Sequence, residues 1–363
     1  MSRPLPPLHL SGVVLPEGEH RDVWVRDGRF TFEPVPGAET VSRGGWLIPG
    51  LVDAHCHVGI ARGGGHVDDL AHAREQALVE REAGVLALRD CGSPVDTRAL
   101  DDDPELPTII RAGRHIARTR RYIRGLGIEI EPEDLVEQVR VQARRGDGWV
   151  KLVGDWIDRS VGDLAPEWPA ETVTAAIAAA HAEGVRVTAH TFGTDALPAL
   201  IAAGIDCIEH GTGLTEELIG EMAARGTAVV PTLVNVENFP GFAAEGEEKF
   251  PSYASTMRRL YANSGAVVRA AFEAGVPVFA GTDAGGGIEH GVIADEIRAL
   301  CQAGIPAEAA LAAGSWKARE WLGLRGIEEG AVADVVVYDA DPRADLDTLQ
   351  SPRRTLLRGR VVA

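Results

Sequence analysis

Two hydrophobic rhythms divide the chain. Residues 21–33, RDVWVRDGRFTFE, alternate apolar and polar positions on both sides of Asp27-Gly28. Asp-Gly between such runs favours a type I′ hairpin, whose two turn residues both take positive φ. The far end behaves alike: ADVVVYDAD (333–341) and RTLLRGRVV (354–362) read as strands. Neither end is long enough for a core of its own. The economical solution is one small composite β-domain drawing on residues 1–48 and 325–363.

Between them the period changes. Short apolar runs at 51–58, 85–92, 107–114, 149–156, 185–191, 206–211, 228–233 and 277–284 read as strands. They alternate with Ala-, Leu- and Glu-rich stretches that predict helices at 67–83, 134–145, 170–183, 194–203, 215–225, 255–274 and 306–322. Strands separated by helices indicate a parallel α/β fold. Eight such units fit a (β/α)8 TIM barrel over residues 49–324 better than an open sheet. No GxGxxG follows a strand to suggest dinucleotide binding. Residues 236–252, VENFPGFAAEGEEKFPS, read as an irregular loop after the seventh strand, over the barrel mouth or simply solvated.

Composition narrows the partners rather than the fold. The 363 residues carry 36 Lys and Arg against 54 Asp and Glu, a formal net charge of −18. That balance opposes nucleic-acid binding, which needs phosphate neutralised, and docking on anionic membranes. No apolar stretch reaches the ~18 residues of a membrane span. Cys56, Cys91, Cys207 and Cys301 are scattered without CxxC and read as apolar filler. Few cysteines and no export signal in MSRPLPPLHLSG predict a cytoplasmic location.

In a parallel barrel, catalytic groups come from the C-terminal ends of several strands. The first run gives Asp53-Ala54-His55-Cys56-His57. Residues i and i+2 face the same way on a strand, so His55 and His57 point together and Cys56 away. The fourth run carries Lys151, the fifth ends in His190, the sixth in His210 and the eighth in Asp283. Singly, each has a bland reading: a strand-end histidine is usually hydrogen-bonded, and a strand-end aspartate often caps the next helix. Jointly they favour a metal site, because burying so many titratable groups without a cation is costly. An ammonium has no lone pair for a metal. Lys151 joins only by losing its proton and adding CO2 as a carbamate; otherwise it is a salt-bridged or snorkelling lysine.

The segments GLVDAHCHV, VKL, TAH, EHG and GTDAG, with GIEEGAVADVVVYDADP near the end, resemble the amidohydrolase superfamily in its prolidase-like, imidazolonepropionase-like branch. The resemblance runs from about Gly44 to Val362. It implies a (β/α)8 barrel with a flanking composite β-domain. It implies two divalent cations, one held by His55, His57 and Asp283 and the other by His190 and His210. It also implies that Lys151 is N6-carboxylysine bridging them. Mixed nitrogen and oxygen ligation suits Zn2+ and tolerates Mn2+ or Co2+. Many prolidase-like relatives carry Gly-Gly-His after the third strand; this chain has Gly113-Arg114-His115-Ile116-Ala117-Arg118-Thr119-Arg120-Arg121-Tyr122 instead.

The expected activity is hydrolysis of an amide-type C–N bond in a small molecule: a dipeptide, an N-acyl amino acid, or a related amide or carbamate. Asp283 is expected to pass the proton of the attacking water to the leaving group. His290, Tyr122, His115 and Arg121 are candidate substrate contacts, the arginine through a bidentate fork to a carboxylate. Their bland readings are a surface-loop histidine and a solvated basic face. His9, His20, His66, His72 and His181 read as structural or exposed. Competing readings are a mononuclear zinc deaminase or cyclic-amide or lactone hydrolase with Lys151 unmodified, a scaffold without activity, and an α/β binding protein that uses no metal. Homo-oligomerisation is left open.

Overall fold

Strict alternation makes Leu8–Val14 a strand with every second side chain buried. It pairs antiparallel with Glu19–Arg26 and parallel with Glu39–Pro49. In this computed structural model, which describes residues 5–61, 65–66 and 69–363 without the side chain of His66, the two ends of the chain meet. Val335–Tyr338 lies antiparallel to the second half of Glu39–Pro49 and carries Arg354–Leu357 and Arg360–Val361 beyond it. With Arg29–Thr31 at the other edge, these strands form one seven-stranded sheet. Leu10, Val23, Phe30, Leu47, Val335 and Leu356 pack together against it. Asp27 and Gly28 have φ of 51° and 75°, the positive pair that a type I′ turn requires. The expectation for the His66 side chain lies outside the described residues.

The middle of the chain is a TIM-barrel-like α/β fold. Leu51–Cys56, Val85–Asp90 and Thr108–Arg111 form one parallel sheet. Ile116–Arg118, Trp149–Val153, Arg186–Thr191, Cys207–His210 and Ala228–Val230 follow in a second. The expected eighth strand, 277–284, is not a regular strand. Isolated backbone hydrogen bonds hold it on both sides: Phe279 N donates to Val229 O, while Ala54 N donates to Ala280 O and Asp283 N to His55 O. Asp283 at φ 61° and Gly285 at 99° leave the extended conformation that a ladder needs. The arrangement is therefore two sheets and an irregular segment rather than one continuous eight-stranded ladder.

Two further expectations are corrected. The helix expected over 306–322 is two, Ala307–Ala313 and Trp316–Trp321. The break frees Gly314 O to accept from Val52 N, and Ser315 Oγ donates to Pro49 O. The stretch 236–252 is helical for much of its length. Phe239–Gly246 is one helix, and Pro251–Glu273 begins at its edge. Pro251 sits at the first helical position, where its missing N–H costs nothing. Phe239, Ala243, Ala254, Met257 and Leu260 bury the seam between the two helices.

Candidate active site

Register decides which side chains enter the barrel. Lys151 pairs with Thr188 and Thr188 with Cys207; one step higher, Val153 pairs with His190, His190 with Glu209 and Glu209 with Val230. Trp149, Cys207, Ala228 and Val230, on the same face, pack in the inner cluster. Val150, Leu152, Ala189, Ile208 and Val229 alternate with them and join the outer core against the helices. Lys151, His190 and Glu209 are therefore carried on the inner face. His210 follows Glu209 directly and on a regular strand would face outward. Its φ of 65° breaks the alternation, and its ring lies against those of His190 and His55. On the first strand a register irregularity lies between Asp53 and Cys56. Ala54 joins the inner cluster, Cys56 the outer core, and His55 and His57 reach the mouth.

The groups that meet there are mostly acceptors. His55 Nε2 and His57 Nε2 each lie 3.0 Å from Asp283 Oδ1 and 3.2 Å from one another. His57 Nδ1 donates to Gly92 O at 2.8 Å, so in the neutral ring it is Nε2 that carries the lone pair. Lone pairs and a carboxylate oxygen at such distances repel unless a cation or a proton lies between them. His190 Nδ1 lies 2.9 Å from His210 Nε2, and His210 Nδ1 pairs with Thr232 Oγ1 at 2.6 Å. His55 Nδ1 and His190 Nε2 are buried without a hydrogen-bond partner. Ligand atoms of His55, His210 and Asp283 all lie within 4.8 Å of one another. This donor set fits a divalent cation.

Electrostatics agrees with the geometry. Burial, joined by neighbouring His210 and Lys151, holds His190 well below the usual imidazole range, and burial brings His210 down to about 3. Both rings are therefore neutral, the form that binds metal. Asn235 Nδ2 donates to Asp283 Oδ2 at 2.8 Å, leaving Oδ1 toward the imidazoles.

The residues named from the sequence divide into two groups. His55, His57, Lys151, His190, Asp283 and Tyr122 line one cavity of about 250 Å3, with His210 against His190. His115 is buried beside it, its ring stacked on His57 at 5.2 Å and tilted against Tyr122. Arg121 and His290 do not line the cavity. Arg121 donates to Asp158, Trp156 O and Ala165 O, while His290 Nδ1 donates to the buried Glu80 at 2.8 Å. Lys151 Nζ makes a close contact with Glu209 Oε2, and Thr188 Oγ1 donates to Glu209 Oε1 at 2.7 Å.

Sequence reasoning missed Glu209, Thr232, Asn235 and Asp53. Glu209 stands in the EHG segment, but alternation assigns it the face opposite His210. Asp53 accepts from His55 N and Thr282 N and so ties the first strand to the eighth segment. Cys91, taken for filler, also lies within ligand distance of His55 and Glu209, although burial pushes its thiol well up. Among the described residues no helix is long and apolar enough to cross a membrane.

A model of the amidohydrolase family matches residues 46–362. The chain belongs to the amidohydrolase family. This amidohydrolase is 57% identical over 354 residues to an uncharacterized protein of Mycobacterium tuberculosis, across 97% of this chain and 95% of that one. It is 27% identical over 229 residues to ochratoxinase of Aspergillus niger, 61% of this chain and 47% of that protein. In structure it resembles a Xaa-Pro dipeptidase at TM-score 0.81 and 22% identity, over 98% of this chain and 99% of that one. It resembles A. niger ochratoxinase at TM-score 0.81 and 19% identity, over 99% and 96%. At these identities the structural likeness shows the fold of the amidohydrolase.

Proposed function

We propose that this amidohydrolase is a metal-dependent hydrolase cleaving an amide-type C–N bond in a small molecule. One observation carries the reading: His55, His57, His190, His210 and Asp283 converge, with His55 and His57 Nε2 each 3.0 Å from Asp283 Oδ1 and His190 Nδ1 2.9 Å from His210 Nε2. Those residues would hold two divalent cations, Zn2+ first, with a carboxylated Lys151 as the sixth group. Bound there, such cations supply Lewis acidity and an acidified water. Asp283 Oδ1 accepts the water proton and returns it to the departing nitrogen; Asn235 keeps the carboxylate turned for both transfers. The reading takes residues 49–324 as the catalytic barrel, closed through 277–284, and residues 1–48 with 325–363 as a composite β-domain. Peptide cleavage by a protein of this fold, as the name Xaa-Pro dipeptidase states, supports it.

A second reading has its own support. The contact between Lys151 and Glu209 suits an unmodified lysine and a single zinc. Metal content separates the two, near two equivalents per chain against near one. The test of the function is a hydrolysis screen of amides, N-acyl amino acids, dipeptides and lactones with Zn2+- or Mn2+-loaded protein. C–N cleavage that disappears on chelation and returns with metal is expected. Cleavage indifferent to exhaustive chelation, or no C–N cleavage at all, would overturn the proposal.

A further inference from the structure

The cavity has a polar floor and an aromatic wall. The same cavity is lined, besides the ligand set, by Tyr122, Trp156, Phe192, Phe242 and Tyr253 and by Ile60, Ile123 and Leu126. Tyr122 meets Trp156 edge-on at 4.8 Å, and Trp156 stacks toward Phe192 at 6.3 Å. Phe192 in turn meets the fully buried Phe239 at 4.7 Å. The wall is thus fixed from behind by the helices Phe239–Gly246 and Pro251–Glu273. Its volume, about 250 Å3, equals that of roughly eight water molecules at ~30 Å3 each, enough for one substituted ring and an acyl group.

Lys151 in the lining and Arg121 behind it are already engaged. Lys151 is the one lysine or arginine among the described lining residues, and its ammonium meets Glu209. The Arg121 fork points at Asp158 and two carbonyls. A substrate carboxylate held against the wall, away from the floor, would meet the negative faces of aromatic rings and no free lysine or arginine among the described lining residues. Dipeptides and N-acyl amino acids carry that carboxylate; anilides and aryl carbamates do not.

Resting on the hydrolase reading above, we infer that the substrate is a neutral aryl amide or aryl carbamate whose ring packs against the Tyr122–Trp156–Phe192 wall. In the reaction, water adds its oxygen to the carbonyl carbon, the carbon–nitrogen bond breaks, and a water proton goes to the nitrogen. The products are an arylamine and, from the amide, a carboxylic acid or, from the N-aryl carbamate, a carbonic acid monoester.

Two matched pairs of compounds test this separately from the hydrolase reading. Binding to the metal-loaded protein is measured with non-hydrolysable ketones, 1-(4-methylphenyl)propan-2-one and 4-(2-oxopropyl)benzoate, which differ in a methyl against a carboxylate. Turnover is measured with the corresponding amides, 4-methylacetanilide and 4-acetamidobenzoate. The neutral ketone should bind more tightly by about tenfold or more, and the neutral amide should be cleaved with the higher kcat/KM. Phe242→Arg, placing a cation on the wall, should shift binding toward the benzoate. Equal binding, tighter binding of the carboxylate, or no binding of the neutral ketone at millimolar concentration overturns the inference. So does carboxylate binding that is lost in Arg62→Ala, which would identify a cation outside the described residues. Selective ketone binding without cleavage of either amide, or of any compound in the hydrolysis screen above, instead overturns the hydrolase reading and leaves the apolar selectivity standing.

Discussion

The floor of the cavity and its wall are held by different forces. The floor is placed by backbone geometry and hydrogen bonds: His57 is fixed by Gly92 O, His210 by Thr232, Asp283 by Asn235. The wall is placed by packing, ring against ring and helix against helix. Loss of a floor group leaves neighbouring lone pairs without their counter-charge, whereas loss of a wall ring removes area but little charge. The first kind of change should act on chemistry and metal affinity, the second on substrate binding.

Asp283→Asn should break the comparison most sharply. It keeps the shape of the floor but removes the proton acceptor, so kcat should fall by about 10^2- to 10^4-fold, with far-UV circular dichroism unchanged. Near-normal turnover would remove Asp283 from the chemistry. Thr232→Val comes next. It deletes the partner of His210 Nδ1, and loss of such support typically weakens metal affinity by about 10- to 100-fold. Competition with a metal-sensitive dye measures it; unchanged affinity would mean that Thr232 does not orient the ring. Trp156→Ala should leave metal content intact and raise KM about tenfold, with a smaller change in kcat. A kcat collapse with unchanged KM would place Trp156 in the chemistry instead.

The smallest effect concerns the scaffold that joins the two regions. Glu296 is buried and accepts from Leu233 N and Val234 N, at the start of the helix that carries Asn235. Burial pushes its carboxyl up to about 8. The unfolded chain ionises near ~4.3, so between these values the folded chain holds more protons. Stability from this group is therefore full below the unfolded value and declines as pH rises toward about 8. Glu296→Gln should flatten the dependence of Tm on pH between about 5 and 8. A profile parallel to that of the native protein would show that Glu296 does not titrate there.

The difference between floor and wall also explains what could be read from the sequence. His55, His57, His190 and Asp283 end short apolar runs, and run boundaries are a local signal. The structure brings those side chains together with His210. Glu209 escaped because strand alternation places it opposite His210, and only the positive φ of His210 reconciles the two. Asn235 escaped because it falls just past the apolar run 228–233, and Phe242 because 236–252 read as an irregular loop, whereas buried contacts between the helices Phe239–Gly246 and Pro251–Glu273 settle that stretch. Arg121 illustrates the opposite error. A cluster of arginines suggested carboxylate recognition, but a guanidinium is defined by its acceptors, and those of Arg121 lie on Asp155–Asp158 and Asp163–Pro166.

The most direct test of the central claim is the metal content of the native protein beside that of a His55→Ala/His190→Ala double variant. Both are loaded with Zn2+, dialysed against metal-free buffer and measured by mass spectrometry. If the floor is a metal site, the native chain retains zinc, at about two equivalents in the binuclear form, while the double variant loses most of it yet stays folded. Equal retention by both proteins, or none by the native chain, would contradict the account.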